Sequence, residues 1–329
     1  MKIPLRTQEM RPKGHVVGCG VQGAHCLALD LSQGRNGKWT INWSLAGELG
    51  DKDFAARLSK MTGKRHFWVS PTEEGGLQVE TARSIEIPEG DISSSAARKD
   101  CFLTQIRSRF VNETIVLGGM RMKGVGSGER GMGNGESSFA KATEDKRGIN
   151  IIHNVGGGAI KDNVKRDYLN WYSEMGIRRP HIASTALALA NAYLALYPVE
   201  KRRANPLRLV ILKGRSVYRA ILMDDWKYID EVLLPRMEGD DESKDVVVGR
   251  TQGWIDYFNR QYPALVENRQ IVPLLISVKE VHVSDYEHWD LWDENAMDKI
   301  DMTGAVAEAI LMNRDIAPIA FGMALQGGC

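Results

Sequence analysis

The sequence predicts an α/β protein made of two similar halves, on three observations. Residues 16–45 read as a three-stranded antiparallel meander, residues 207–234 read as a second one, and each is followed by a helix, at 51–61 and at about 245–262. Apolar residues alternating between turn formers mark strands, and apolar residues recurring at three and four positions mark helices. The same change of period occurs twice along the chain, as expected of a duplication.

The first meander opens on HVVGCGVQGAHCLALD, residues 15–30, with G-x-G-x-x-G at Gly18, Gly20 and Gly23. In a dinucleotide-binding unit the third glycine begins a long helix whose N–H groups hold the pyrophosphate. Here residues 26–32 run straight into the turn formers Gln33-Gly-Arg-Asn-Gly-Lys38. A helix would have to stop after about two turns, whereas strand, Asn36-Gly37 turn and strand make the ordinary hairpin pattern. Residues 24–31 are therefore expected to be strand, which disfavours a Rossmann-type oxidoreductase. His15, Cys19, His25 and Cys26 fit no common zinc spacing, so no metal is expected.

The remaining elements follow in order. A helix ends at Gly63, residues 65–70 and 76–87 read as strands, 95–110 as a helix, and 113–122 with 149–155 as a hairpin. Between the hairpin strands, residues 124–148 contain seven glycines and only Val125, Met132 and Phe139 as large apolar residues, too few to offset backbone ordering. This insertion is expected to lie outside the core and to bind no phosphate. Ile160, Val164, Tyr168, Trp171 and Met175 recur at helical spacing and point to a core-facing helix ending at Gly176. STALALANAYLALY, residues 184–197, is a small-residue helix suited to close packing against a neighbouring sheet, and Pro198 ends it. The second meander has its turns at Gly214-Arg215-Ser216 and Asp224-Asp225.

Composition bounds the function. The chain has 329 residues, 43 Lys and Arg against 42 Asp and Glu, and a formal net charge of +1. That balance gives no broad field for nucleic acid or an anionic membrane, and the clusters Lys201-Arg202-Arg203 and Arg178-Arg179 are expected to be solvated loops. The polar start MKIPLRTQEMRPKG and four unpaired cysteines suit a cytoplasmic protein.

With both meanders in place, the chain resembles the actin-like ATPase superfamily, which includes actin, sugar kinases and FtsA. Within it, the chain resembles PilM, the actin-like protein of type IV pilus assembly, and the cytoplasmic domain of the type II secretion GspL proteins. The resemblance rests on residues 17–31, on 149–177 with its "EMGI", on 181–198, HIASTALALANAYLALYP, and on the closing 317–328, APIAFGMALQGG. It implies a duplicated actin-like (ribonuclease H-like) α/β fold with a degenerate nucleotide site. The first half would span 1–183, with an inserted small α+β subdomain at about 51–180, and the second 184–329.

The departures from the family bear on mechanism. Its first phosphate hairpin, D-x-G-x-x-x-x-K, falls here on Gly20 for the Asp, Gln22 for the Gly and Leu27 for the Lys. In the second hairpin Leu212 stands for the Asp, although Gly214 remains. The adenosine-contacting glycine pair after residues 271–276 is replaced by Ser277 and Val278. Without carboxylates to organise a metal, hydrolysis loses its main electrostatic support. Asp30 is nearby but is expected to be a solvated side chain on a strand face. The resemblance thus implies a pseudo-ATPase without cofactor or catalytic residues, a cytoplasmic scaffold held at the inner membrane through its partner. That partner would be the N-terminal cytoplasmic tail of a bitopic, PilN-like membrane protein. The assembly ATPase and a second copy of the chain are further partner candidates, and nucleic acid is not. A candidate acceptor for the tail is the edge strand carrying Leu77, Val79, Thr81, Ile85 and Ile87. The alternative is a divergent actin-fold kinase or ATPase.

Overall fold

The computed structural model describes residues 14–34, 38–70, 80–88, 114–125, 151–178, 180–215, 217–236, 244–276, 286–289 and 299–326. Strands β1 (Val16–Gln22), β2 (His25–Gln33) and β3 (Trp39–Glu48) form the first meander. Gly23 turns β1 into β2 at φ 59°, a left-handed conformation that other residues adopt only at a cost. Helix α1 (Lys52–Thr62) follows, capped by the Asp51 carboxylate accepting from Asp53 N–H, and it ends at Gly63, φ 57°. Phe54, Leu58 and Thr62, four residues apart, form its buried face.

Strands β4 (His66–Val69) and, much later, β8 (Pro180–Ile182) extend the sheet in parallel to β1. The order is β14-β3-β2-β1-β4-β8, with β14 (Ile300–Met302) returning from the end of the chain to lie parallel to β3. The second sheet has order β11-β10-β9-β12-β13, from β9 (Leu207–Lys213), β10 (Val217–Asp224), β11 (Lys227–Pro235), β12 (Val272–Ile276) and β13 (Glu287–Trp289). Strand for strand, order and direction match β3-β2-β1-β4-β8: an antiparallel meander, then two parallel strands beside its first member. The duplication expected from the two meanders is the architecture of the protein.

A third sheet, β5-β7-β6, contains β5 (Glu80–Pro88), β6 (Thr114–Val125) and β7 (Ile151–Lys161), all antiparallel. The β6–β7 hairpin is the expected one, but β6 continues through Gly124 and Val125, which the sequence assigned to the insertion. The rest of the insertion lies outside the described residues, as do the helix expected at 95–110 and the Asn36-Gly37 turn. Helix α2 (Asp162–Glu174) carries the aromatic stripe and stops before Gly176, φ 84°. Ile160, assigned to that stripe, belongs instead to β7, where it pairs with Ile115. Tyr172 is buried among Phe67, Trp171 and Tyr168.

Helices α3 (Thr185–Leu196) and α4 (Val199–Ala204) precede β9. Next come α5 (Lys244–Gln261), α6 (Pro263–Val266), α7 (Gly304–Met312) and α8 (Ala317–Gln326). The small residues of α3 serve a helix rather than only a sheet: a Cβ built on Gly322 of α8 would stand 1.8 Å from the Ala188 carbonyl oxygen. Helices α3 and α8 and the facing strands of both main sheets make the central core, which includes Leu27, Leu29, Leu212, Met223 and Phe321. The outer faces bury separate cores, Val17, Phe54, Phe67 and Tyr172 on the first sheet and Leu209, Tyr218, Trp254 and Phe258 on the second.

Not every glycine is a packing device. Gly253 lies exposed within α5, and a Cβ there meets nothing within 4 Å. Glycine costs an exposed helix interior roughly 0.5–1 kcal/mol relative to alanine, so Gly253→Ala is expected to raise the denaturation midpoint slightly. A lowered midpoint would mean that this face of α5 is covered.

Candidate functional site

The two turns that the family resemblance assigns to phosphate face each other across the halves, and this chain joins them directly. Side chains alternate along β1, so Gly18, Gly20 and Gln22 share the face turned toward α8 and the second half. Gln22, 2% exposed, accepts a hydrogen bond from the Arg215 backbone N–H at 2.7 Å and donates from Nε2 to the Asp315 carbonyl at 3.0 Å. Its amide lies where a Cβ on Gly214 would be, 2.8 Å away. Around it, Arg215 Nε pairs with Asp315 Oδ2 at 2.6 Å, and Arg236 donates to the Gly214 carbonyl at 2.7 Å.

The magnitudes separate these contacts. The Arg215–Asp315 pair is partly exposed and is worth ~0–1 kcal/mol. The Gln22 bonds are shielded at ~0.5–1.5 kcal/mol each, and losing them would leave buried polar groups unsatisfied. Of these contacts, the Gln22 bonds are therefore the stronger.

Behind this bridge lies the apolar central core. Leu27 and Leu212, which the resemblance assigns to the Lys and second Asp positions, are both buried in the central core. Gly20, at the first Asp position, lies under the start of α8, and a Cβ there would meet the Ile316 carbonyl oxygen at 2.8 Å and the Ala320 nitrogen at 2.9 Å. A Cβ on Gly18 would be closer still, 2.1 Å from the Ala320 oxygen. Gly18 and Gly20 thus leave room for a helix lying on β1, and Gly23 makes the turn. Residues 25–33 are strand, as expected, so the glycine motif opens no helix.

Other candidate residues lie elsewhere. Asp30 is wholly buried, contrary to the expectation of a solvated carboxylate. Alternation puts it on the outer face with Cys26 and Ala28, where His15 Nδ1 approaches at 3.1 Å and Arg65 Nε at 3.6 Å. It lies on the opposite face of the sheet from Leu27 and Leu29. Cys19 and Cys26 also face that outer core; the neighbouring Cys26 thiol and then burial push the Cys19 thiol well above its ordinary range. His25 is near Glu48, at 3.5 Å. Among the described residues, no group of three or more His, Cys, Asp or Glu could hold a metal ion.

Arg202 corrects the expectation that residues 201–203 form a solvated loop. It is buried in α4 near Asp225, at 3.7 Å, and burial lowers its pKa against the opposing pull of that carboxylate. Next to it Arg208, fully buried, donates to the Asn205 and Lys201 carbonyls and pairs with Glu287 at 2.7 Å, while Tyr197 O–H donates to the same carboxylate. Lys201 and Arg203 are exposed, as expected of that run; the buried members of this region, Arg202 and Arg208, are met by carboxylates from the β10–β11 turn and from β13.

The expected acceptor strand is present in part. Thr81, Ile85 and Ile87 stand on β5, at the edge of its sheet, paired with Gly158, Val155 and His153. A register shift between Ala82 and Ile85 interrupts the alternation assumed for the strand, and β11 runs beside β5. Leu77 and Val79 lie outside the described residues, as do Ser277 and Val278.

Two sheets of order 3-2-1-4-5 facing each other across a shared helical core define the class: a duplicated α/β fold of the actin-like, ribonuclease H-like type, with a small additional sheet. Among solved structures, the chain is similar to that of a PilM–PilN type IV pilus biogenesis complex, with a TM-score of 0.55 and 13% identity over 97% of this chain and 100% of the other. A more distant match is the cytoplasmic domain of EpsL, an inner-membrane component of the type II secretion system of Vibrio cholerae, with a TM-score of 0.43 and 10% identity over 95% of each chain. A protein of actin-like ATPase fold from Bacteroides thetaiotaomicron matches at a TM-score of 0.34 and 11% identity, over 92% of this chain and 96% of that one. No protein-family model matches the chain, and no curated protein matches it in sequence. None of the described helices is long and apolar enough to cross a membrane.

Proposed function

We propose that the chain is a non-catalytic scaffold of an inner-membrane assembly platform of the type IV pilus or type II secretion kind. It holds the short cytoplasmic N-terminal tail of a bitopic, PilN-like membrane protein and is itself cytoplasmic, peripheral to the membrane through that partner. One observation carries the non-catalytic part: Gln22 ties the two phosphate-position turns together over the apolar core of Leu27, Leu212 and α8. Polyphosphate would have to break that bridge and would find neither a carboxylate for its metal nor the family's lysine. The scaffold part is supported by the fold likeness to a protein solved together with PilN. In this reading the halves divide at 183/184, with the inserted subdomain at about 51–180, while β14 and α8 of the second half return to the first sheet.

Calorimetry of the full chain with Mg-ATP tests the non-catalytic part. No binding tighter than ~10 μM is expected, and a lower dissociation constant, roughly −7 kcal/mol or stronger, favours a divergent ATPase or kinase instead. For the partner, membrane proteins recovered by pull-down supply N-terminal tails for synthesis. A tail bound more tightly than ~100 μM, about −5.5 kcal/mol, is expected. If the intact protein binds and its tail does not, the contact lies outside the tail.

A further inference from the structure

The first sheet carries a column of rings at its β8 edge, away from the Gln22 bridge. Strands β4 and β8 are parallel neighbours, with Trp68 opposite His181. The His181 ring stacks on Trp68 at 4.8 Å between centroids and on His66 at 5.4 Å. His66 is exposed and the other two rings are half-buried, while Phe67 and Val69 of the same strand are buried in the outer core and anchor its backbone. His66 Nδ1 and His181 Nε2 are 3.1 Å apart.

That separation suits more than a hydrogen bond. Two imidazole nitrogens bound to one ion at ~2.0–2.1 Å lie roughly 2.9 Å apart in a square arrangement and about 3.4 Å apart in a tetrahedral one. The observed distance falls between these values. The histidine ring torsion is broad, so a modest rotation re-aims both nitrogens from each other to a common point. At least one of them already accepts rather than donates, which is the ligating state.

We propose that His66 and His181 bind one divalent transition-metal ion of the imidazole-preferring class, Cu²⁺ ahead of Ni²⁺ and Zn²⁺, with water completing the coordination. The strand ladder places His181 opposite Trp68 and His66 two residues before it on β4, so both side chains project from fixed backbone and less freedom is lost on binding. Two imidazoles with water make an open, exchangeable site, unlike a closed four-ligand structural one. A bound ion would clamp β8, the edge strand leading into α3, to β4.

The full chain is titrated with Cu²⁺ and then Zn²⁺ in a non-chelating buffer. One Cu²⁺ per chain at a dissociation constant of ~10 μM or below is expected, with quenching of indole emission that Trp68→Phe reduces. His66→Ala and His181→Ala should each weaken binding at least tenfold, with unchanged circular dichroism, whereas His15→Ala and His25→Ala should not. Electron paramagnetic resonance of bound Cu²⁺ in the unaltered protein provides a readout independent of any variant, with two nitrogen donors expected. A spectrum with fewer than two, or equal affinity in the His66→Ala/His181→Ala double variant, overturns the proposal.

Discussion

Gly322→Ala is expected to cost at least ~3 kcal/mol and to lower the melting temperature by about 6 °C or more. The added methyl would sit 1.8 Å from the Ala188 carbonyl oxygen and 2.4 Å from its carbonyl carbon, backbone atoms that no change of rotamer can move aside. Relief requires α3 and α8 to separate, and these two helices fill the central core. Gly18→Ala should act similarly from the other side of α8, where its Cβ would meet the Ala320 oxygen at 2.1 Å and the Ala324 nitrogen at 2.3 Å. Because the two substitutions push α8 in opposite directions, the pair should cost at least the sum of the two. Thermal unfolding by circular dichroism, with Gly253→Ala as the opposite-signed comparison, measures this. A Gly322→Ala midpoint within ~2 °C of the parent would contradict the packing of α3 on α8.

Glu287→Ala should destabilise by ~2–4 kcal/mol, because it strands the buried Arg208 guanidinium. Removing one partner of a fully buried pair costs about 3–5 kcal/mol, and the expected range is about 1 kcal/mol lower here because the Asn205 and Lys201 carbonyls remain bonded to Arg208 and Glu287 is itself partly exposed. The pair also sets a pH dependence. Burial alone would raise the Glu287 carboxyl, but hydrogen bonds from Tyr197 and Arg208 outweigh it and hold the group below its ordinary 4.5. A carboxyl depressed in the folded state stabilises fully above its unfolded value, and that contribution fades as pH falls through the lower folded value. Denaturant midpoints measured from about pH 6 down to about pH 3 should therefore decline less steeply in Glu287→Gln than in the parent. Parallel declines would show that the pair carries no linked proton.

The sequence by itself determined most of the elements and their repetition. Both meanders, the helix ends at Gly63 and Gly176 and the strand after Gly23 follow from periods and turn residues within about ten positions, the range over which local backbone preferences act. The resemblance assigned Gly20, Leu27 and Leu212 to positions of the phosphate hairpins. Only the tertiary structure decided what those residues do. Gln22 meets Arg215 across 193 positions and Asp315 across 293, and Gly18 is small because a helix some 300 residues later lies on it. Asp30 reads as an ordinary strand carboxylate until His15 and Arg65 enclose it. Contacts of this kind depend on which strands adjoin and in which register, and a hydrophobic period carries no record of either.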